Sequence, residues 1–124
     1  METRVVIPIA DSKGLDSQLA EHFGRAPFFA VVDLDADGNI SSVNTEPNVS
    51  EDVGGTGRPP DHILKLKPSA VIVYGMGTKA LSIFQSAGVA VLRTNASTVG
   101  ETVAAYKQDK LEELTEGCHH ASHH

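Results

Sequence analysis

The stretch from Val71 to Gly88 constrains the fold more than any other part of the chain. Val71–Tyr74 is an apolar run rich in β-branched residues, which predicts a buried strand. Gly75-Met76-Gly77 follows, and a helical pattern then continues to Gly88. A strand that passes through a glycine turn into a helix is typical of α/β sheets. Such a turn presents backbone N–H groups and the positive end of a helix dipole, so it can hold an anion.

The hydrophobic pattern of the whole chain predicts five strands and three helices, including the strand and the helix just described. Strands are expected at Val5–Ala10, Phe28–Leu34, Ile40–Thr45, Ala70–Tyr74 and Val89–Leu92. Helices are expected after Pro60, from Thr78 to Ala87, and after the capping box of Thr98 and Glu101. The four-residue spacing of Leu15, Leu19 and Phe23 predicts a short helical turn closed by Gly24.

This order of elements predicts one mixed sheet. The Asp-Gly turn within Asp35–Asn39 makes the second and third strands a hairpin. Right-handed crossovers place the fourth and fifth strands parallel to the first. We therefore expect a three-layer α/β fold whose five strands have the order 3-2-1-4-5, with strand 2 antiparallel. Pro8 should lie where no ladder hydrogen bond is needed, because it has no N–H.

Composition limits the function. A chain of 124 residues forms one domain, which we place at residues 1–114, followed by a flexible Cys/His-rich tail at 115–124. The net charge of −6 argues against a nucleic-acid partner. Cys118 is the single cysteine, so no internal disulfide can form and a reducing, cytoplasmic compartment fits. No apolar run approaches the roughly 20 residues that span a membrane.

Three loops predict a binding cleft for an anionic ligand. They are Glu21–Arg25, Gly54–Pro60 and Gly75–Thr78. Arg25 and Arg58 flank the expected cleft, and N–H groups near Gly57 and Gly77 would add positive potential. Ligands of open α/β sheets bind outside the carboxyl ends of strands where the strand order reverses, here between strands 1 and 4. Alternatively, Arg25 and Arg58 each pair with an acid of the loops and have only a structural role.

The glycine turn also matches a dinucleotide fingerprint. Gly75-Met76-Gly77-Thr78-Lys79-Ala80 has the pattern G-x-G-x-x-A between a strand and a helix. The acid that should follow about 20 residues later is replaced by Arg93-Thr94-Asn95, although Arg93 suits a 2′-phosphate. A nucleotide-binding enzyme is therefore an alternative function, and a glycine turn that serves only close packing is another interpretation.

The last seven residues concentrate metal-binding side chains. Thiolate and imidazole groups suit zinc, copper(I) or cluster iron, and the tail holds Cys118, His119, His120, His123 and His124. Cloning tags usually have six unbroken histidines, so the interruption and the preceding cysteine favour a native metal-binding tail. A metal scavenger that uses only this tail is a further alternative.

Two acidic patterns and two histidines have structural explanations. Asp33–Ile40 resembles the start of a calcium-binding loop, but position 12 is Asn44 instead of glutamate, which favours an acidic hairpin tip. Asp11 and Asp33 lack the close spacing that paired nuclease carboxylates need. His22 and His62 are residues that commonly occur on surfaces or at helix caps, as well as among metal ligands.

Several stretches together resemble the dinitrogenase iron–molybdenum cofactor-binding family, the NifX-type cluster carriers. The most specific stretch is His22-Phe23-Gly24-Arg25-Ala26-Pro27, within Leu19–Phe29. Gly57-Arg58-Pro59-Pro60, the run from Val71 through Gly77 to Val89, and Thr98-Val99 with Tyr106 extend the resemblance over residues 3–114.

The resemblance implies a ribonuclease H-like fold without enzymatic activity. It also implies binding of iron–molybdenum cofactor or a related iron–sulfur cluster, with cluster-assembly or acceptor proteins as partners. His22 matches the family position proposed to reach the cluster, which makes it the expected metal ligand. Related proteins often have cysteine in the glycine loop, where this chain has Val53-Gly54-Gly55-Thr56. We expect Arg25, Gly57, Arg58, Gly75, Gly77 and Thr78 to neutralise the cluster, and the tail to supply secondary ligands.

Overall fold

Six strands form one mixed sheet, in the order β3-β2-β1-β4-β5-β6, in the computed structural model, which describes residues 3–48 and 59–114. The strands are β1 Thr3–Ile9, β2 Phe28–Leu34, β3 Ile40–Pro47, β4 Ala70–Val73, β5 Ala90–Arg93 and β6 Glu112–Glu113. The helices are α1 Pro59–Leu64, α2 Thr78–Ser86 and α3 Val99–Lys107, and a 3₁₀ turn lies at Gly14–Asp16. Strand β2 is antiparallel to β1, whereas β4 is parallel to β1 and β5 is parallel to β4. The predicted strand order and the predicted antiparallel strand 2 are confirmed.

The sheet is covered on both faces, which gives the three layers that the sequence predicts. Alternate strand residues point to opposite faces, so the two faces collect different side chains. Val6, Val71 and Val73 share one buried cluster with Leu81 and Phe84 of α2 and Ile63 of α1. The other face buries a second cluster: Val5, Ile7, Ile9, Val32, Ile72, and Val99 and Val103 of α3.

Pro8 sets where the pairing between β1 and β4 stops. Backbone groups of alternate residues point to the same side of a strand, and Arg4 O accepts a hydrogen bond from Ser69 N (2.7 Å) beside β4. Pro8 faces the same side but has no N–H to donate. The β1–β4 pairs end at Val6, whereas Pro8 still pairs with Phe29 on β2. This confirms the expectation for Pro8.

The chain returns into the gap that Pro8 leaves. Ala20 N donates to Pro8 O (3.0 Å), and Leu19 forms an antiparallel bridge with Ile9. Because Ile9 already pairs with Phe28 of β2, the returning segment lies on the β4 side of β1. The crevice between β1 and β4 is therefore occupied by the protein's own backbone at this level.

The same segment is held from the other side by the chain that follows β5. Leu19 N donates to Ser97 O (3.0 Å), and Val99 N donates to Ser17 O (3.0 Å). Ser17 is fully buried. These bonds join the exits of β1 and β5 across the carboxyl edge of β4.

The predicted helical turn over Leu15, Leu19 and Phe23 is wrong. The structure has only a 3₁₀ turn at Gly14–Asp16, and Leu15 is among the most exposed large apolar side chains. Leu19 points into the core from the bridge with Ile9 described above. Only Leu19 and Phe23 of the three are buried, so the four-residue spacing does not mark one face of a helix. Strand bridges supply hydrogen bonds that a helix would have made.

The chain after α3 also differs from expectation. The sequence analysis predicts no strand after the third helix, but Glu112–Glu113 pair antiparallel with Leu92 and Arg93 as β6. Leu111 and Leu114 pack on opposite faces of the sheet, and Leu114 N donates to Val91 O (2.8 Å). Leu111 and Leu114 flank this two-residue strand and hold it against the two faces of the sheet. Such a pattern is too short to recognise in a sequence.

The predicted turns and helix ends are confirmed. Thr98 and Glu101 form the reciprocal capping box at the start of α3. Gly38, with φ of 85°, turns the β2–β3 hairpin, where Asp35 Oδ1 accepts hydrogen bonds from the N–H groups of Asp37 and Asn39. Gly88, with φ of 77°, follows the last turn of α2. The hairpin tip therefore uses its first acid to hold its own backbone.

The end of the sheet opposite the β1 exit is fixed by an ion pair. Arg4 Nε lies 2.8 Å from Asp33 Oδ1, and Ser42 Oγ donates to Asp33 Oδ2 (3.0 Å). The hydrogen bond from Arg4 is the largest of the effects that lower the pKa of Asp33 below its ordinary value of 3.8, although burial opposes the shift. The charged form of Asp33 is thus stabilised by folding.

We expect Asp33→Asn to lower the free energy of unfolding by about 1 kcal/mol at neutral pH, since it weakens a charge-assisted hydrogen bond. Because the pKa of Asp33 is lowered by folding, its contribution is complete above about pH 4 and is lost as the pH falls through the folded value. Urea denaturation of both proteins at pH 7 and pH 3 measures this. An equal difference at both pH values would contradict the assignment.

Candidate functional site

The loop that follows β1 alternates between core and solvent over Glu21–Ala26. Phe23 and Ala26 are buried, with 6% and 1% of their surface exposed. Glu21, His22 and Arg25 are exposed. The side chains that carry charge or bind metals therefore point outward from a segment whose apolar residues are buried in the core.

Aromatic contacts anchor this loop to the hydrophobic core. The ring of Phe23 lies 5.7 Å from the ring of Phe29 on β2 and 5.7 Å from that of Phe84 on α2, the latter edge-on. Edge-to-face packing at such distances adds to the stabilisation from burial. His22 is thus attached to a residue that contacts both the sheet and a helix.

Asn48 anchors the loop from the side, and the sequence analysis did not identify it. It follows β3 directly and is 9% exposed. Its Nδ2 donates to Gly24 O (3.0 Å) and Ala26 O (2.8 Å), and its backbone N donates to Pro27 O (3.0 Å). An asparagine at the end of a strand predicts a bond to nearby backbone. A partner more than 20 residues earlier could not be predicted from local pattern.

The glycine turn after β4 lies over the same cluster. Met76 is 2% exposed and belongs to the cluster that contains Phe23. Gly77 is the N-cap of α2, and a side chain added there would meet nothing within 4 Å. Gly77 and Thr78 are exposed, so the first turn of α2 presents its N–H groups to open space. The turn is compatible with an approaching anion.

The dinucleotide interpretation gains little from the structure. Arg93, the residue suited to a 2′-phosphate, lies on β5 with its Nη1 3.4 Å from Glu112 Oε1 of β6. Both side chains are exposed, so the pair is weak. Met76, the middle residue of the turn, serves packing.

Tyr74 marks an acidic corner of the same edge. Its hydroxyl donates to Ala96 O (2.7 Å), which joins the exits of β4 and β5. Burial raises the pKa of Tyr74, and the carboxylates of Glu101 and Glu21 raise it further. Negative charge therefore accumulates beside Tyr74, whereas Arg25 supplies positive charge elsewhere on the Glu21–Pro27 loop.

The carboxylates considered for a nuclease lie apart. Asp33 pairs in register with Arg4, near the start of β1, whereas Asp11 follows the end of that strand. Seven residues of extended chain separate the two levels by on the order of 20 Å. Oδ1 of Asp11 is buried without a hydrogen-bond partner in the described structure. The two acids cannot act on one metal ion.

Several predicted site residues lie outside the described residues. They are Gly57, Arg58, Cys118, His119, His120, His123 and His124. Among residues 3–48 and 59–114, no three His, Cys, Asp or Glu side chains are grouped so as to hold a metal ion. In the same ranges, no helix is long and apolar enough to cross a membrane. His22, Arg25, Gly75, Gly77 and Thr78 remain as predicted site residues with a defined position.

The strand order and the two-sided helix packing define a ribonuclease H-like α/β domain. Residues 3–109 match the family model described as dinitrogenase iron-molybdenum cofactor. The chain therefore belongs to that family, as the resemblance implied.

Three known proteins extend the comparison. An uncharacterized protein of Methanocaldococcus jannaschii is 29% identical over 115 residues, which are 90% of this chain and 91% of that protein. A proposed NifB protein from Thermotoga is 28% identical, with a TM-score of 0.78 over 96% of this chain and 99% of the other. The apo form of the orange protein from Desulfovibrio gigas shares the fold, at 21% identity and a TM-score of 0.75, over 92% of this chain and 94% of the other.

We expect His22→Ala and Phe23→Ala to differ sharply in stability. The exposed imidazole has few contacts to lose, so its removal should change the free energy of unfolding by less than about 0.5 kcal/mol. Removal of the buried Phe23 ring should cost about 3–5 kcal/mol. Guanidinium denaturation followed by circular dichroism measures both. If His22→Ala lowered the free energy of unfolding by more than about 1 kcal/mol, His22 would have a structural role.

Proposed function

We propose that this chain is a non-enzymatic carrier of an iron–molybdenum or iron–sulfur type cluster. Family membership gives the class of protein, and one structural observation supports the carrier role. His22 is an exposed potential ligand on a loop that Phe23 and Asn48 anchor to the core. A ligand on an anchored loop binds at a lower entropic cost than a ligand on a flexible one.

The proposed ligand chemistry follows from the residue types. Neutral imidazole is a good ligand for iron and other borderline metals, which makes His22 the metal-binding residue of the domain. Arg25 and Arg58 would offset the negative charge of the cluster. The N–H groups around Gly57, Gly75, Gly77 and Thr78 would donate hydrogen bonds to its sulfur atoms or anionic groups.

The uneven charge of the edge supports a position for the cargo on the Arg25 side. The carboxylates of Glu21 and Glu101 lie close enough to Tyr74 to raise its pKa. A polyanionic cluster beside Tyr74 would be repelled by them. Arg25 supplies positive charge at the other end of the loop, and we place the cluster on that side.

The proposed setting is cytoplasmic cluster biosynthesis or delivery. The name of the Thermotoga relative, a proposed NifB protein, supports a place in cofactor assembly. Partners would then be cluster-assembly proteins or acceptor proteins. The tail residues Cys118, His119, His120, His123 and His124 would add secondary ligands during transfer.

Anaerobic titration of the cargo-free protein with isolated iron–molybdenum cofactor, and separately with a reduced [4Fe–4S] cluster, tests the carrier function. We expect wild-type protein to bind one of them and His22→Ala to bind it about tenfold or more weakly, because a metal ligand is lost. His62→Ala is the matched control, since His62 lies on α1 and is not among the proposed ligands.

Absorption spectra and gel filtration report the bound cluster. Equal affinity of wild type and His22→Ala would show that His22 is not a ligand. Binding of neither cluster by the wild type would contradict the carrier function. A parallel titration with ATP or NADPH tests the nucleotide alternative, which saturable nucleotide binding without cluster binding would favour.

Deletion of residues 117–124 tests the role of the tail. The tail has no apolar periodicity, so we expect the truncated protein to unfold at the same denaturant concentration as the full chain. It should also lose binding of zinc or copper(I), measured by competition with a chromophoric chelator. Failure of the truncated protein to fold would show that the tail is structural, and unchanged zinc binding would place the metal elsewhere.

A further inference from the structure

The side chain of Asn48 provides two hydrogen bonds to the loop that carries His22 and Arg25. Its Nδ2 lies 3.0 Å from Gly24 O and 2.8 Å from Ala26 O. Both distances are within the usual range for N–H···O bonds. The acceptors flank Arg25 and begin two residues after His22, so the amide acts on the backbone that carries both side chains.

The loop has little hydrogen bonding of its own at this point. The internal backbone bond that spans it, from Ala26 N to Phe23 O, is 3.5 Å long and therefore weak. The backbone N of Asn48 extends the β2–β3 ladder by donating to Pro27 O (3.0 Å). A substitution of the side chain would leave that ladder bond in place and remove the two bonds from Nδ2 to the loop.

Geometry also separates the two anchors of the loop. Phe23 fixes its depth in the core through contacts with Phe29 and Phe84. A ring in an apolar cluster does not by itself fix the direction of the neighbouring peptide groups. Two hydrogen bonds from one planar amide do, because each constrains the position of a carbonyl oxygen.

We propose that Asn48 is a positioning residue for the cargo site, which holds the Gly24–Ala26 backbone so that His22 and Arg25 face the same cluster. The proposal rests on the proposed carrier function. It adds a residue on β3's exit to a site otherwise built from the exits of β1 and β4. Asn48 itself does not touch the cargo.

Two variants remove the bonds in different ways. Asn48→Ala leaves both carbonyl oxygens without their donor. Asn48→Gln keeps an amide donor on a side chain that is one methylene longer, so it protects folding but moves the loop. Asp33→Asn is the matched control, because it also loses side-chain hydrogen bonds but lies at the opposite end of the sheet.

The readouts are the affinity for the cluster that the wild type binds, either isolated iron–molybdenum cofactor or a reduced [4Fe–4S] cluster, and the NMR signals of the cargo-free protein. We expect both Asn48 variants to bind that cluster about tenfold more weakly, or about 1.4 kcal/mol at room temperature, and Asp33→Asn to bind it as wild type does. The amide resonances of residues 21–27 and the ring protons of His22 should shift in the Asn48 variants only.

The outcomes separate this proposal from the one on which it depends. Cofactor binding by the wild type that persists at full affinity in Asn48→Gln and Asn48→Ala would overturn the positioning role and leave the carrier function intact. The positioning role would also be overturned if Asp33→Asn lost as much stability and as much affinity as the Asn48 variants, because the weaker binding would then follow from lower stability alone. Binding of neither iron–molybdenum cofactor nor a reduced [4Fe–4S] cluster by the wild type would overturn the carrier function and this proposal together.

Discussion

The missing N–H of Pro8 is the constraint on which the carboxyl edge of the sheet depends. Pro8 faces the β4 side of β1 but has no donor for a neighbouring strand. The β1–β4 pairs end at Val6, and Ala20 N donates to Pro8 O, so the returning segment lies beside β1 at this level. The returning segment satisfies the backbone groups that would otherwise be buried and unpaired. This segment also leads to Glu21 at the carboxyl edge of the sheet, where the candidate site begins.

From that point the chain combines two requirements in a few residues. Phe23 and Ala26 are buried, whereas His22 and Arg25 are exposed. Such a segment is neither a regular strand nor a helix, so its backbone must be satisfied by contacts from elsewhere. Asn48 provides part of that satisfaction. Precise placement of a ligand requires supporting contacts around it, and the loop has them on two sides.

The sequence predicts the architecture well because strands and helices have local periods. The capping box of Thr98 and Glu101 and the turn at Gly38 follow from local chemistry, and both are confirmed. Local reasoning was wrong where distant backbone decides. The spacing of Leu15 and Leu19 suggested a helix. A pattern of apolar residues does not show that the carbonyl groups of Pro8 and Ser97 accept the hydrogen bonds of this segment. The site shows the same division: the motif around His22 is visible in the sequence, whereas its link to residue 48 depends on the fold.

The charge of the chain illustrates why a site must be argued from local geometry. A net charge of −6 would by itself disfavour any polyanionic cargo. At a distance of a few ångströms, however, the nearest charges and dipoles dominate, because salt screens the rest over about 10 Å. Near Tyr74 those charges are the carboxylates of Glu101 and Glu21. Burial is the largest cause of the raised pKa of Tyr74, and these two carboxylates raise it further. Arg25 is exposed and brings a positive charge to the Glu21–Pro27 loop, and the first turn of α2 contains no acid. These two features, and not the net charge, decide whether an anion can approach there. The net negative charge of the chain would oppose nonspecific binding of the same anion elsewhere, and under the proposed carrier function this would favour release of the cluster to an acceptor.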